Sequence, residues 1–189
     1  MTPYAGVDLA DCTLADDNLP AANLVGADLV GADLDGANLN SANLSGANLS
    51  DAALNEDQSN VSANLQNADL PGANLTNATL EDANLTQAIL STANLTDAGL
   101  DNANLTDAAL NGANLSIASL NGANLTGADV NSAILINTEL VNANLTNANL
   151  GGTVVTAGEL SFDTWSNTTC PDGTNSNNDG NTCVNNLTP

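Results

Sequence analysis

The chain has 189 residues, 22 of them Asp or Glu and none Lys, Arg or His, for a formal net charge of −22. Such a chain has nothing with which to neutralise nucleic-acid phosphates or an anionic lipid surface. It also lacks the usual general bases and Schiff-base lysine, and its fold has to stand without salt bridges. Only Tyr4, Phe162 and Trp165 carry large aromatic rings, yet 42% of residues are apolar, chiefly Ala and Leu, which is too many for a chain disordered by charge alone.

The N-terminal Met1-Thr2-Pro3-Tyr4 has neither a basic nor an apolar leader region, so no signal peptide is expected within these residues. There is no run of 18 apolar residues, so no membrane insertion is expected. A strict repeat begins almost at once. Leu recurs every five residues from Leu9 to Leu54 and from Leu65 to Leu150, with Val130 as a substitute. Ala stands two residues before nearly every Leu, usually with Asn or Asp between, so the unit reads Ala-[Asn/Asp]-Leu-x-x. A period of five fits neither a helix nor strand alternation, and the frequent Gly, Asn, Ser and Asp argue against long helices.

This pattern resembles the pentapeptide-repeat family over roughly residues 5–160. The resemblance implies an all-β fold, a right-handed quadrilateral parallel β-helix in which each unit forms one side of a square coil, with Leu and Ala inward. About eight coils at ~4.8 Å spacing make a rod of about 40 Å. The expected core includes Leu24, Leu29, Leu34, Leu39, Leu44, Leu49, Leu65, Leu70, Leu75, Leu85, Leu95, Leu105, Leu115, Leu125 and Leu145. Stacking buries what one coil cannot bury alone.

Leu54 and Leu65 are eleven residues apart, which reads as two units plus one extra residue, an irregular coil or bulge over 55–62. Folded at twenty residues per coil, Asn64, Asn84, Asn104, Asn124 and Asn144 form one outward column, followed after each Leu by Gln66, Thr86, Thr106, Thr126 and Thr146. Allowing for one extra residue, Asn23 and Asn43 extend that column. The opposite face has Asn74, Asn94 and Asn114 with Thr76, Thr96 and Ser116. Such ladders hydrogen-bond between rungs. They serve structure and solubility, or bind an ordered surface such as ice or a polymer.

The repeat erodes near Thr138, Thr153 and Val155, and residues 161–189 read as a capping tail. Phe162 and Trp165 arrive where the last coil needs a cover, since solenoid ends expose apolar cross-section. Cys170 and Cys183 flank a turn-rich segment, and a disulfide between them is expected, with two free thiols or a metal pair as the alternatives. Cys12 sits at an inward small-residue site and packs there as a small hydrophobe, or else forms an intermolecular disulfide. Asp172 and Asp179 give the loop a weak Ca²⁺ character without EF-hand spacing. No other cofactor or metal is expected.

No catalytic constellation is legible, so no enzymatic activity is expected. The preferred reading is a secreted or cell-surface (or periplasmic) structural solenoid, an acidic and self-assembling rod that stacks head to tail into a filament through an N-terminal end without an evident cap. Two alternatives remain at this point. One is an acidic DNA mimic of the gyrase-interacting kind that the family resemblance implies, although ten of the 22 acids crowd into residues 1–57. The other is ice or polymer binding. Stability or assembly is expected to rise with salt, with Ca²⁺ as a bulk counter-ion, and with modest acidification.

Overall fold

Each five-residue unit builds one short flat side and one corner. In Ala83-Asn84-Leu85-Thr86-Gln87, Ala83 and Leu85 are buried and the Asn between them faces outward. The next Ala88 N–H donates to the Leu85 carbonyl at 3.0 Å, closing a turn over Thr86-Gln87. Gln87 has φ 59, the positive value that a type II turn requires at its second central residue. Gly, Asn or Asp fill most equivalent corners, such as Gly46, Asn77 and Asp97, because these residues accept that conformation at little cost. The corner chemistry therefore sets the five-residue period.

The coils are joined by a fixed backbone pattern. The Leu85 N–H donates to the Asn104 carbonyl of the following coil at 2.8 Å, and the Asn104 N–H donates back to the Ala83 carbonyl at 2.9 Å. Repeated on every side, this produces parallel bridges in four columns, twenty residues apart except where they cross residues 55–62. Face one runs Asp8, Asp28, Asn48, Asn74, Asn94, Asn114, Ile134, Val154; face two runs Thr13, Asp33, Ala53, Thr79, Gly99, Ser119, Glu139. Face three runs Asn18, Asn38, Asn64, Asn84, Asn104, Asn124, Asn144, Thr164; face four runs Asn23, Asn43, Asp69, Ile89, Ala109, Asp129, Asn149, Thr169. Two sides are long enough to count as paired strands, β1 (Ile134–Leu135) and β2 (Val154–Val155), which lie parallel. The architecture is a right-handed quadrilateral β-helix, seen in a computed structural model that describes residues 6–56, 61–155, 164–179 and 182–183.

The core is one continuous column. All fifteen leucines named above are at most 1% exposed except Leu125 at 2%. In the first coil Val7, Leu9, Leu14 and Leu19 are only partly buried. Where the repeat erodes, Thr138, Thr153 and Thr168 replace Ala inside, each buried and each donating its hydroxyl to a carbonyl: Leu115, Leu150 and Leu145 respectively. A buried hydroxyl is tolerated when bonded in this way.

The irregularity differs from its sequence reading. Asn38 pairs with Asn64 and Ala53 with Thr79, each 26 residues apart instead of 20. The segment is thus one unit plus six extra residues, not two units plus one. An antiparallel bridge between Glu56 and Ser62 closes it at the corner between faces two and three, and the coil register resumes at Asn64. Residues 57–60 lie outside the described residues. One consequence is a corrected ladder. Face three is extended toward the N-terminus by Asn18 and Asn38, whereas Asn23 and Asn43 belong to face four, above Asp69.

At the C-terminal end Trp165 takes the inward Leu position of face three and is 6% exposed. Phe162 lies outside the described residues. Cys170 and Cys183 form the disulfide, with Cα atoms 5.3 Å apart, and both are fully buried. The loop between them folds back as a small hairpin. Thr169 and Asn175 pair antiparallel, Cys170 N–H donates to Thr174, and Ser176 N–H donates to Thr168. A short 3₁₀ turn over Ser176–Asp179 follows.

Candidate functional site

An exterior built from outward positions can work only through its faces, so the site is sought there. On faces one and three the Asn side chains hold both their own corner and the neighbouring rung. Asn124 Oδ1 accepts the Thr126 N–H at 3.2 Å and the Thr126 hydroxyl at 2.7 Å. Its Nδ2 donates to Thr106 Oγ1 of the preceding coil at 2.9 Å. The same arrangement joins Asn144 to Thr126 and, on face one, Asn94 to Thr76 and Asn114 to Thr96. The predicted ladder residues Asn64, Asn84, Asn104, Asn124, Asn144, Thr86, Thr106, Thr126 and Thr146 are therefore stacked in register. Their polar atoms are largely turned toward one another. The Thr106 hydroxyl donates to Asn104 and accepts from Asn124, which leaves one lone pair for anything outside.

Face two is organised differently. There the corner side chain reaches along the rod to the next coil. Asp35 accepts the Asn55 N–H at 2.8 Å, Asn55 the Glu81 N–H at 3.2 Å, Asp101 the Asn121 N–H at 2.8 Å, and Asn121 the Val141 N–H at 3.0 Å. Asp101 also accepts from the Ser119 hydroxyl, and Glu139 from Asn121 Nδ2 at 2.8 Å. A shallow open groove of about 850 Å³ lies here, lined by Asp101, Asn121, Asn137, Glu139, Val141 and Asn142 among others. Gly99 leaves room for the Glu81 carboxylate, whose Oε2 is buried without a hydrogen-bond partner among the described residues.

The loop reads as structural. Asp172 accepts from both the N–H and the hydroxyl of Thr174, at 2.9 and 2.7 Å, an Asx turn of the kind that shapes tight loops. Asp179 ends the 3₁₀ turn. Among the described residues no cluster of three or more metal-ligating side chains occurs. Cys12 is a free thiol, partly exposed, at the inward position of the first described coil. No helix among the described residues is long and apolar enough to cross a membrane.

The sequence reading passed over one group of residues. Ile117, Ile134, Ile136, Val141 and Val154 are exposed at outward positions. The signal was present, because these are β-branched apolar residues where every earlier coil of the same columns carries mostly Asp, Asn, Ser, Thr or Gly.

Comparison with known proteins agrees with this geometry. The family model described as pentapeptide repeats matches residues 5–40, 22–56, 61–97, 98–135 and 123–156. The chain belongs to the pentapeptide-repeat family. Among solved structures of pentapeptide-repeat proteins it is similar to HetL, involved in heterocyst differentiation regulation, from Nostoc sp. Strain PCC 7120. That likeness is 33% identity over 89% of this chain and 78% of that one, with TM-score 0.36. It is also similar to Rfr23 from Cyanothece 51142, at 32% identity over 71% of this chain and 91% of that one, with TM-score 0.42. A further likeness, at 15% identity over 81% and 91% of the two chains and TM-score 0.36, is to QnrB1, a plasmid-mediated fluoroquinolone resistance protein. A comparison with curated proteins finds no match.

Proposed function

We propose that this pentapeptide-repeat protein is a non-enzymatic structural rod of an oxidising compartment, outside the cell, on its surface or in a periplasm, and that it self-associates end to end through its first coil. The Cys170–Cys183 disulfide supports the choice of compartment, since such bonds persist where thiols are not kept reduced. The observation that carries the association is the asymmetry of the two ends. Toward the C-terminal end the inward Leu140, Leu145 and Leu150 stay buried, next to Trp165 and the disulfide hairpin. The first coil leaves Val7, Leu9, Leu14 and Leu19 only partly buried.

The backbone at that end favours one kind of contact. In later coils the outward residue sends both its N–H and its C=O back to the preceding coil, as Asp28 does to Val7 and Leu9. In the first coil the equivalent groups of Asp8, Thr13 and Asn18 have no such partner among the described residues. A residue that presents both groups on one edge bonds the two residues flanking its partner in a parallel mate, as Asp28 does with Val7 and Leu9, or exchanges both bonds with a single residue of an antiparallel mate. A two-fold contact between identical ends reverses strand direction and supplies that mate. Two rods joined first coil to first coil therefore fit the edge better than an unlimited head-to-tail file, which would have to seat the open coil on the polar hairpin.

Analytical ultracentrifugation of the oxidised protein tests this. A concentration-dependent dimer is expected, favoured by salt because Asp8, Asp11, Asp16 and Asp17 all lie near the contact. A monomer at every concentration and salt level would remove the proposal, and open-ended growth would restore the filament.

A further inference from the structure

Face one changes character along its length. Its rungs carry Asn48, Asn74, Asn94 and Asn114, and then switch to Ile134 and Val154. The following column changes in step, from Ser50, Thr76, Thr96 and Ser116 to Ile136. The corner column reads Asp11, Gly31, Asp51, Asn77, Asp97, Ile117, Asn137. Ile117 thus holds φ 66 with a β-branched side chain, at a position whose other occupants are all Asp, Asn or Gly. It is also 55% exposed. Such an outlier is costly for a β-branched residue, and strain of this kind gathers at functional surfaces. Ile134 and Val154 pair on the flat side, and Ile136 and Ile117 stand at the adjoining corner on the same coil and the one before it, so the four form a single apolar patch. The last acid on that face is Asp97.

Around the corner at Asn137 the patch meets the face-two groove, where Val141 is 43% exposed beside Asp101 and Glu139. An apolar patch edged by carboxylates has a definite complement. We propose that this region docks a protein partner whose binding segment sets apolar side chains next to Lys or Arg. The apolar side chains lie on Ile117, Ile134, Ile136 and Val154, and the cations reach Asp101 and Glu139. A charge of −22 steers a cationic segment toward the rod, and the buried apolar contact then sets its place. A second copy of this chain is a poor occupant, because it has no Lys, Arg or His to set against Asp101 and Glu139.

The test uses a short peptide of alternating lysine and leucine and a control in which serine replaces each leucine. Fluorescence anisotropy reads their binding to the oxidised full chain. Any cationic peptide binds a rod of this charge to some extent, so the informative quantity is the difference between the two. The lysine–leucine peptide is expected to bind about tenfold more tightly than the control. The double substitution I134N/I136T, which copies the Asn94–Thr96 rung without changing charge, should erase that difference and leave the control unchanged. If this variant loses its fold, V141T/V154N takes its place. E139Q should weaken both peptides. Equal binding of the two peptides to the native chain overturns the proposal. So does a native dimer that I134N/I136T converts to monomer, which would assign the patch to a second copy.

Discussion

Leu105 illustrates how much each inward residue carries. It is fully buried between neighbouring leucines, so Leu105→Ala removes both apolar burial and packing, and the stacked coils above and below cannot close the gap. The expected loss is about 2–5 kcal/mol, measured as a lower urea midpoint. Ile117 should behave in the opposite way. Ile117→Asn relieves the positive φ and removes an exposed apolar side chain, so stability should rise by about 1 kcal/mol. A lower midpoint for Ile117→Asn would show that its side chain has a packing role not visible in its exposure. The inward residues were legible in the sequence because Leu and Ala recur every five residues, and the resemblance to pentapeptide-repeat proteins implies that both positions point inward. Ile117 was not read, because the unit constrains its last position only through φ, and φ cannot be seen in residue identity until Asp, Asn and Gly are recognised as the rule there.

The elements with the most separate existence are the hairpin at the end and the insertion in the third coil. Replacing both cysteines as C170S/C183S should cost about 3 kcal/mol by the loop-entropy estimate. The loss should fall on the last coil first, because a solenoid is stabilised by nearest-neighbour stacking. Hydrogen exchange should show the amides of Leu145 and Leu150 opening while those of Leu85 stay protected. Uniform loss of protection along the rod would contradict that. The disulfide was legible from two cysteines flanking turn-forming residues. The insertion was legible in place but not in size. Eleven residues between Leu54 and Leu65 can be divided as two units plus one or as one unit plus six, and only the pairing of Asn38 with Asn64 distinguishes them. That choice moved Asn23 and Asn43 from one face to another. The ladder is a further element-scale device. Asn104→Ala should cost about 1 kcal/mol, because the Thr106 N–H and hydroxyl lose a shared acceptor.

At the scale of the whole molecule the charge is the governing term. Twenty-two carboxyl groups and no side-chain cation are wrapped on a rod, so folding brings like charges together. Added NaCl should raise the melting temperature through screening, with most of the effect below about 0.1 M, where the Debye length falls to ~10 Å. A melting temperature independent of salt would contradict this. The acids do not form phosphate-like rows. On face one Asp11, Asp51 and Asp97 alternate with Gly31 and Asn77 in the corner column, and the later rungs of that face are apolar. The charge therefore acts as a repulsive field around the rod, and the proposed first-coil contact, with Asp8, Asp11, Asp16 and Asp17 nearby, depends on salt to screen it. Electron microscopy of the oxidised protein in salt measures this directly. A rod of eight coils at ~4.8 Å is about 40 Å long, so particles of about twice that length, joined at one end only, are expected. Single short rods at all concentrations would contradict that.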